Sequence, residues 1–240
     1  MNTNNAPVVA SPEQEFALAL QFLGKLHAGR FPADAVQAAK ENSKHPIWLA
    51  LETLRSKSID AILKEWQKFY KKYFGLTIDF SELKLPENKS GFDRLIIVVA
   101  GLTLNRVYDA CAMKFPCWCF TEDLDVAVPK NDRDPMNGTY SILVRDVVEA
   151  DEELKDLSAN MLTEKGIKGI TLLERMLFEL KYFSKSMKHL DIKNRTLCSG
   201  SRDSGVGVPG ANWGGRWFEV DCYLPGNRFP NLRSREAVSL

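Results

Sequence analysis

The stretch 171–240 constrains this chain more than any other. It opens on a helix with a reciprocal start signal, Thr171 followed three residues later by Glu174, the pair that forms a capping box. Leu173, Met176, Leu177, Leu180 and Phe183 then recur at helical spacing, and Lys185, Lys188 and His189 gather near the end, where positive charge suits the helix dipole. The run that follows is rich in Gly, Arg and Trp and has too few apolar residues in sequence to build a core of its own. Strands are predicted at 196–199, 216–223 and 234–240, with Gly200, Gly205, Gly207, Gly210, Gly214, Gly215 and Gly226 marking the turns between them.

Such a run must lean on what precedes it, and the chain has enough apolar material for that. Of 240 residues, 45% are hydrophobic and 26% charged, the balance of a globular protein with a real core. The net charge of +1 leaves no electrostatic footprint for nucleic acid. No apolar run approaches the roughly 18–20 residues that span a bilayer. Met1-Asn-Thr-Asn-Asn-Ala-Pro7 lacks the basic and apolar regions of a secretory signal. Five irregularly spaced cysteines suit reduced thiols better than a disulfide framework. The expectation is a cytoplasmic or virion-associated protein.

Residues 1–90 read as a helical unit with a loose start. Ser11, Pro12 and Gln14 signal a helix carrying Phe16, Leu20, Leu23 and Leu26. A short helix is predicted over 33–41, a third begins at Pro46, and Ser58 is read as the cap of a fourth. That fourth helix carries the stripe Ile59, Ile62, Leu63, Trp66, Phe69, Tyr70 and Tyr73. Pro86, Asn88, Ser90 and Gly91 mark a boundary. Beyond it, 92–99 reads as a buried strand, Thr103 as a helix cap, 115–120 as an aromatic knot, 131–138 as a loop, 139–144 as a second strand, and 149–155 as an acidic helix start.

Candidate chemistry is sparse. Cys117-x-Cys119 has neither the spacer nor the second ligand pair of a zinc site, and its bland reading is packing among Phe115, Trp118 and Phe120. Glu122, Asp123, Asp125, Asp132 and Asp134 form an acidic loop without the Gly and closing Glu of an EF-hand. His27, His45 and His189 suggest no nucleophile–base order, and no glycine-rich loop leads from a strand into a helix. No catalytic residue, metal or cofactor is assigned. The C-terminal run is the better candidate. Arg202, Ser204, Asn212, Trp213, Trp217, Tyr223, Asn227, Arg228, Phe229 and Asn231 are assigned to ligand contact, since aromatics and Arg dominate binding hot spots and Asn and Ser add adaptable hydrogen bonds. For Trp213 and Trp217 a place in the core is the other reading, and Arg233 and Arg235 can pair internally.

Several motifs carry a resemblance. Gly169-Ile-Thr-Leu-Leu-Glu-Arg175, Glu179-Leu-Lys-Tyr-Phe183, Lys188-His-Leu-Asp191, Thr196-Leu-Cys-Ser-Gly-Ser-Arg202 and Asn231-Leu-Arg-Ser-Arg-Glu-Ala-Val-Ser239 resemble a family of uncharacterised proteins frequent in metagenomes and candidate-phylum bacteria. Gly214-Gly-Arg-Trp217 and 227–235 are also similar to the variable proteins of diversity-generating retroelements, although Leu232-Arg-Ser-Arg235 stands where that family has Gly-Phe-Arg. The resemblance implies a C-type-lectin-like domain over 91–240. It also implies that a reverse transcriptase rewrites adenines in the last part of the gene, changing a ligand-binding face on a fixed scaffold.

The reading is therefore an α+β protein: an N-terminal helical unit, then a C-type-lectin-like domain of short antiparallel strands. It recognises a protein or other macromolecule through loops 200–231, where exposed substitutions cost within about 0.5 kcal/mol each. It is not an enzyme, binds no nucleic acid, and forms homo-oligomers through the N-terminal helices. A phage or particle assembly protein is the alternative, and a small enzyme using the acidic loop 122–134 the third.

Overall fold

The computed structural model of the protein describes residues 46–240. The helices expected from Ser11 and over 33–41 lie outside them. The described residues are mixed α and β, with long helices, short strands and one principal core.

The first described element, α1 (Pro46–Phe74), is one continuous helix. Ser58, read from sequence as a cap, is buried inside it. Nothing between Leu54 and Ile59 breaks a helix, and a cap signal acts only where a chain must start one. Gly75, at φ +68, ends the helix in the left-handed region and donates its N–H to the Lys71 carbonyl at 3.2 Å. Ile62, Trp66, Phe69, Tyr70 and Phe74 form the buried face. The Tyr70 hydroxyl donates to the Ile97 carbonyl at 2.6 Å, which pins α1 to the strand beneath it.

That strand, β1 (Arg94–Val98), pairs antiparallel with β4 (Tyr140–Val144) over five positions. Between them come α2 (Leu104–Ala112), β2 (Cys117–Cys119), the one-turn helix α3 (Leu124–Ala127) and β3 (Lys130–Asn131). Thr103 caps α2 as expected, accepting from the Arg106 N–H at 3.3 Å. The acidic run 149–155 makes only a 3₁₀ turn at Glu152–Leu154. The Asp151 carboxylate is taken by the Glu236 N–H and by Arg145, so it does not cap a helix of its own. The next helix, α4 (Ala159–Glu164), is capped by Ser158.

The central element is α5 (Leu172–Ser186), whose Thr171–Glu174 capping box is present in both directions. Every residue from Leu172 to Lys181 is buried, because α5 packs against α2 and β1 on one side and β7 on the other. A one-sided stripe therefore understates it: Arg175 and Glu179 are as buried as Leu177.

After α5 come β5 (Arg195–Leu197), β6 (Ser201–Arg202), β7 (Val208–Trp213), β8 (Phe218–Tyr223) and β9 (Leu232–Ser234). Their main sheet runs β2-β8-β7-β5-β9. It is mixed rather than antiparallel, since β2 pairs parallel with β8 and β5 parallel with β9. A separate pair, β3–β6, is antiparallel.

The largest departure from the sequence reading is β7. Gly210 is expected in a turn, yet it lies with Pro209 in the middle strand of the sheet. Pro209 is tolerated because it sits one residue beyond the last position paired with β5. Gly210 is required because a Cβ there would stand 2.7 Å from the Tyr223 ring. The stretch 200–231 is thus partly core, with Val208, Ala211, Phe218 and Val220 all buried. Ala211, Phe218 and Val220 belong to the same apolar cluster as Trp66, Ile97 and Leu177, while Ala159, Leu197, Val208 and Leu232 form a small cluster under α4. Among the described residues no helix is long and apolar enough to cross a membrane.

Candidate ligand-binding face

The two faces of the main sheet are built from alternate residues of the same strands. Phe218, Val220 and Ala211 point inward. The intervening residues point to the other side, and the register makes them neighbours: Trp118 lies beside Glu219, Glu219 beside Asn212, Asp221 beside Gly210, and Tyr223 beside Val208, where α4 covers the sheet.

An ion network anchors the inner face. Asp191, in the left-handed region at φ 52, is its hub. Its carboxylate accepts from Arg175 Nε at 2.9 Å, from Arg235 Nη2 at 2.7 Å and from the Thr196 hydroxyl. Arg175 also donates to Glu179 at 2.8 Å, and Arg235 to the Val147 and Val148 carbonyls at 3.0 and 2.7 Å. Burial pushes the Asp191 carboxyl up, but Arg235, Arg175 and the Thr196 hydroxyl together outweigh it and hold the group below the usual carboxylate range. The network ties α5, β5, the segment after β9 and the 147–148 loop to one point. Arg235 is the internal pairing foreseen for it, and Arg233 pairs with Glu152.

The outer face is a contiguous polar and aromatic surface. Trp118 and Trp217 are 46% and 40% exposed. Trp217 Nε1 donates to Glu219 at 2.8 Å. Arg195, projecting from β5, reaches Glu219 at 3.2 Å, the Tyr223 hydroxyl at 2.8 Å and Asp221. Phe229, 44% exposed, stands 6.4 Å from the Tyr223 ring. Burial raises the Tyr223 phenol with help from Asp221, and Arg195 opposes the shift, so it stays protonated and able to donate. Gly214 leaves the space that Glu219 occupies, since a Cβ there would lie 2.1 Å from the carboxylate. The polar groups are held by one another and the aromatic rings are left uncovered. Rings on a rigid support lose little entropy on binding.

The residues assigned from sequence divide over this surface. Trp217, Tyr223 and Phe229 lie on it, and Asn212 shares the face but is buried. Arg228 is exposed at its rim and donates to the Asp156 carbonyl at 2.8 Å. Asn227 is half-buried and shapes the turn, its Oδ1 accepting from the Leu224 N–H at 2.8 Å. Asn231 is exposed, and its carbonyl accepts from the Arg195 N–H at 2.7 Å. Trp213 points the other way. Its ring stacks on His189 with centroids 3.4 Å apart, beside Phe115 and Phe183, so for Trp213 the core reading is right. His189 in turn contacts Glu179 at 2.8 Å through Nδ1. Arg202 and Ser204 lie away from the face, in β6 and the loop after it. Trp118, Arg195, Glu219 and Asp221 were missed. The first was assigned to packing, although its place between two cysteines of a strand puts it on the opposite side from both.

The acidic loop is occupied by local structure. Asp123 caps α3 through Val126 and holds Asn105, and these hydrogen bonds keep its carboxyl low. Asp125 accepts from the Leu104 N–H at 2.7 Å, and Asp134 from the Met136 N–H at 2.8 Å. Cys117 and Cys119 line a cleft with Tyr108 and Trp118. Burial, then the Glu179 carboxylate, pushes the Cys117 thiol up to about 12, so it is protonated near neutrality. Among the described residues no three His, Cys, Asp or Glu side chains are placed to hold a metal.

No family model, curated protein or solved structure matches the chain. What the site can do must therefore be argued from its own geometry.

Proposed function

We propose that the chain is a recognition protein that binds a protein or other macromolecular ligand through the outer face of its main sheet. The observation that carries this is the continuity of Trp118, Glu219, Trp217, Arg195, Asp221, Tyr223 and Phe229 across β2, β8, β5 and the following turn. It is a broad face with exposed aromatics, suited to a macromolecule more than to a small molecule buried in a deep pocket. The inner face, with its buried ion network, carries the core, which leaves the exposed Trp118, Trp217 and Phe229 open to change.

This reading agrees with the likeness to retroelement variable proteins, in which a C-type-lectin-like scaffold presents rewritten residues. The lectin-like assignment, the rewriting and oligomerisation through the N-terminal helices belong to the same proposal. Gel filtration of the intact chain tests the last, and a strict monomer counts against it.

The contact face is tested by capture on the immobilised full-length chain. A macromolecule retained by the wild type and released by both Trp217→Ala and Phe229→Ala, with near-UV circular dichroism unchanged, supports the proposal. Retention that ignores both substitutions but is lost on Asp123→Asn contradicts it and moves attention to the acidic loop.

A further inference from the structure

A cleft lies beside the β3–β6 pair. β3, β6 and the segment following α4 enclose a cleft of about 500 Å³, lined among others by Lys130, Asp132, Leu162, Ile167, Lys168 and Arg202. Three cations face one carboxylate there, so these side chains carry a net charge of +2. Lys130 and Arg202 stand directly opposite each other in the β3–β6 pair. Like charges at opposed positions destabilise a strand pair, their Cβ atoms being only roughly 5 Å apart. Among the described residues neither Lys130 nor Lys168 has a hydrogen bond or ion pair from its ammonium group. The cluster is therefore not explained by pairing within the fold.

Arg202 adds geometry to charge. Its Nη1 donates to the Ser199 carbonyl at 2.7 Å and the Ser201 carbonyl at 2.8 Å, which fixes the guanidinium plane. Its Nε and Nη2 make no bond to the described residues. A guanidinium held at one corner with a free edge is arranged for two parallel bonds to an oxyanion. The cleft is far larger than a single oxyanion needs, and the half-buried Ile167 gives it an apolar wall.

We infer that this cleft binds a small molecule through a phosphate group, with the phosphate on Arg202, Lys130 and Lys168 and the organic part against Ile167. This site is separate from the sheet face and does not depend on the reading of that face. Asp132 limits the charge but leaves the cationic excess. The strand pair keeps a like-charge contact that an anion between the two side chains relieves.

The test is a titration of the full-length chain with inorganic phosphate and with phenyl phosphate, followed by calorimetry at constant ionic strength with chloride as the balancing anion. The expected result is saturable binding of both probes, tighter for phenyl phosphate. Arg202→Lys, which keeps the charge but loses the fork, weakens it about tenfold. Lys168→Gln, at an exposed position that leaves the fold intact, weakens it similarly. Lys130→Glu abolishes binding and raises the midpoint of thermal unfolding, since it turns a repelled cross-strand pair into an attracted one. Absence of saturable binding of either probe overturns the inference. So does an affinity that Lys168→Gln leaves unchanged, or a lower unfolding midpoint for Lys130→Glu.

Discussion

Phe218 and Trp217 are neighbours in sequence and belong to opposite worlds. Phe218 is fully buried, packed beneath the Arg175 guanidinium at 5.6 Å and against Phe115. Trp217 is 40% exposed, with its indole N–H held by Glu219. The same alternation continues along β8, with Val220 inside and Asp221 outside. The inner face holds the sheet to α5 through apolar packing and a closed set of charges. The outer face is packed only at its α4 end, where Val208, Leu197 and Leu232 meet Ala159, and is otherwise satisfied within itself. One set of short strands thus carries the main core on one side and leaves much of the other side, from Trp118 to Arg195, open.

Several substitutions would break or sharpen that contrast. The largest effect is expected at the hub: Asp191→Ala leaves Arg175 and Arg235 buried without their shared carboxylate, costing about 3–5 kcal/mol in urea unfolding. Phe218→Ala follows closely, at about 3–5 kcal/mol, as a large ring removed from a packed site. Gly210→Ala is smaller, about 1–3 kcal/mol, because its methyl group meets the Tyr223 ring. Trp217→Ala is smallest, within about 0.5 kcal/mol, and is read by the same unfolding assay. A Trp217→Ala loss as large as that of Phe218→Ala would erase the distinction between the faces.

The ion network also sets a pH dependence. The folded Asp191 carboxyl is held below its unfolded value. Its contribution is therefore complete above the unfolded value and is lost as pH falls through the folded one. Urea midpoints measured from neutral pH downward should fall across the acid range. Asp191→Asn, lacking the titrating group, should show a shallower fall in the same series.

Much of the fold was legible where its cause is local. The Thr171–Glu174 box, the Thr103 cap and the β-branched run Arg94–Val98 each act within a few residues. What was not legible depends on partners far away in sequence. β7 contains a Pro and a Gly, and becomes a central strand only because β5 and β8 flank it and the Tyr223 ring lies over Gly210. Arg175, Asp191 and Arg235 carry no periodic signal, since their relation is set by the meeting of α5, β5 and the segment after β9. For the same reason the ten contact residues were divided: Trp217, Tyr223 and Phe229 fall on the open face, while Trp213 turns inward to His189. Composition singles out a stretch, but strand alternation decides which of its residues face outward.

The outer face is proposed to be the changeable, ligand-contacting surface of a fixed scaffold. It is tested most directly by sequencing this locus with its flanks in many sibling cells. The expected result is substitutions at outward codons such as Trp217, Glu219, Asp221 and Phe229, at positions where a near-copy repeat carries adenine, with Phe218, Val220 and Arg235 unchanged and a reverse transcriptase gene nearby. An invariant 3′ end without such a repeat, or changes falling equally on inward and outward codons, would contradict it.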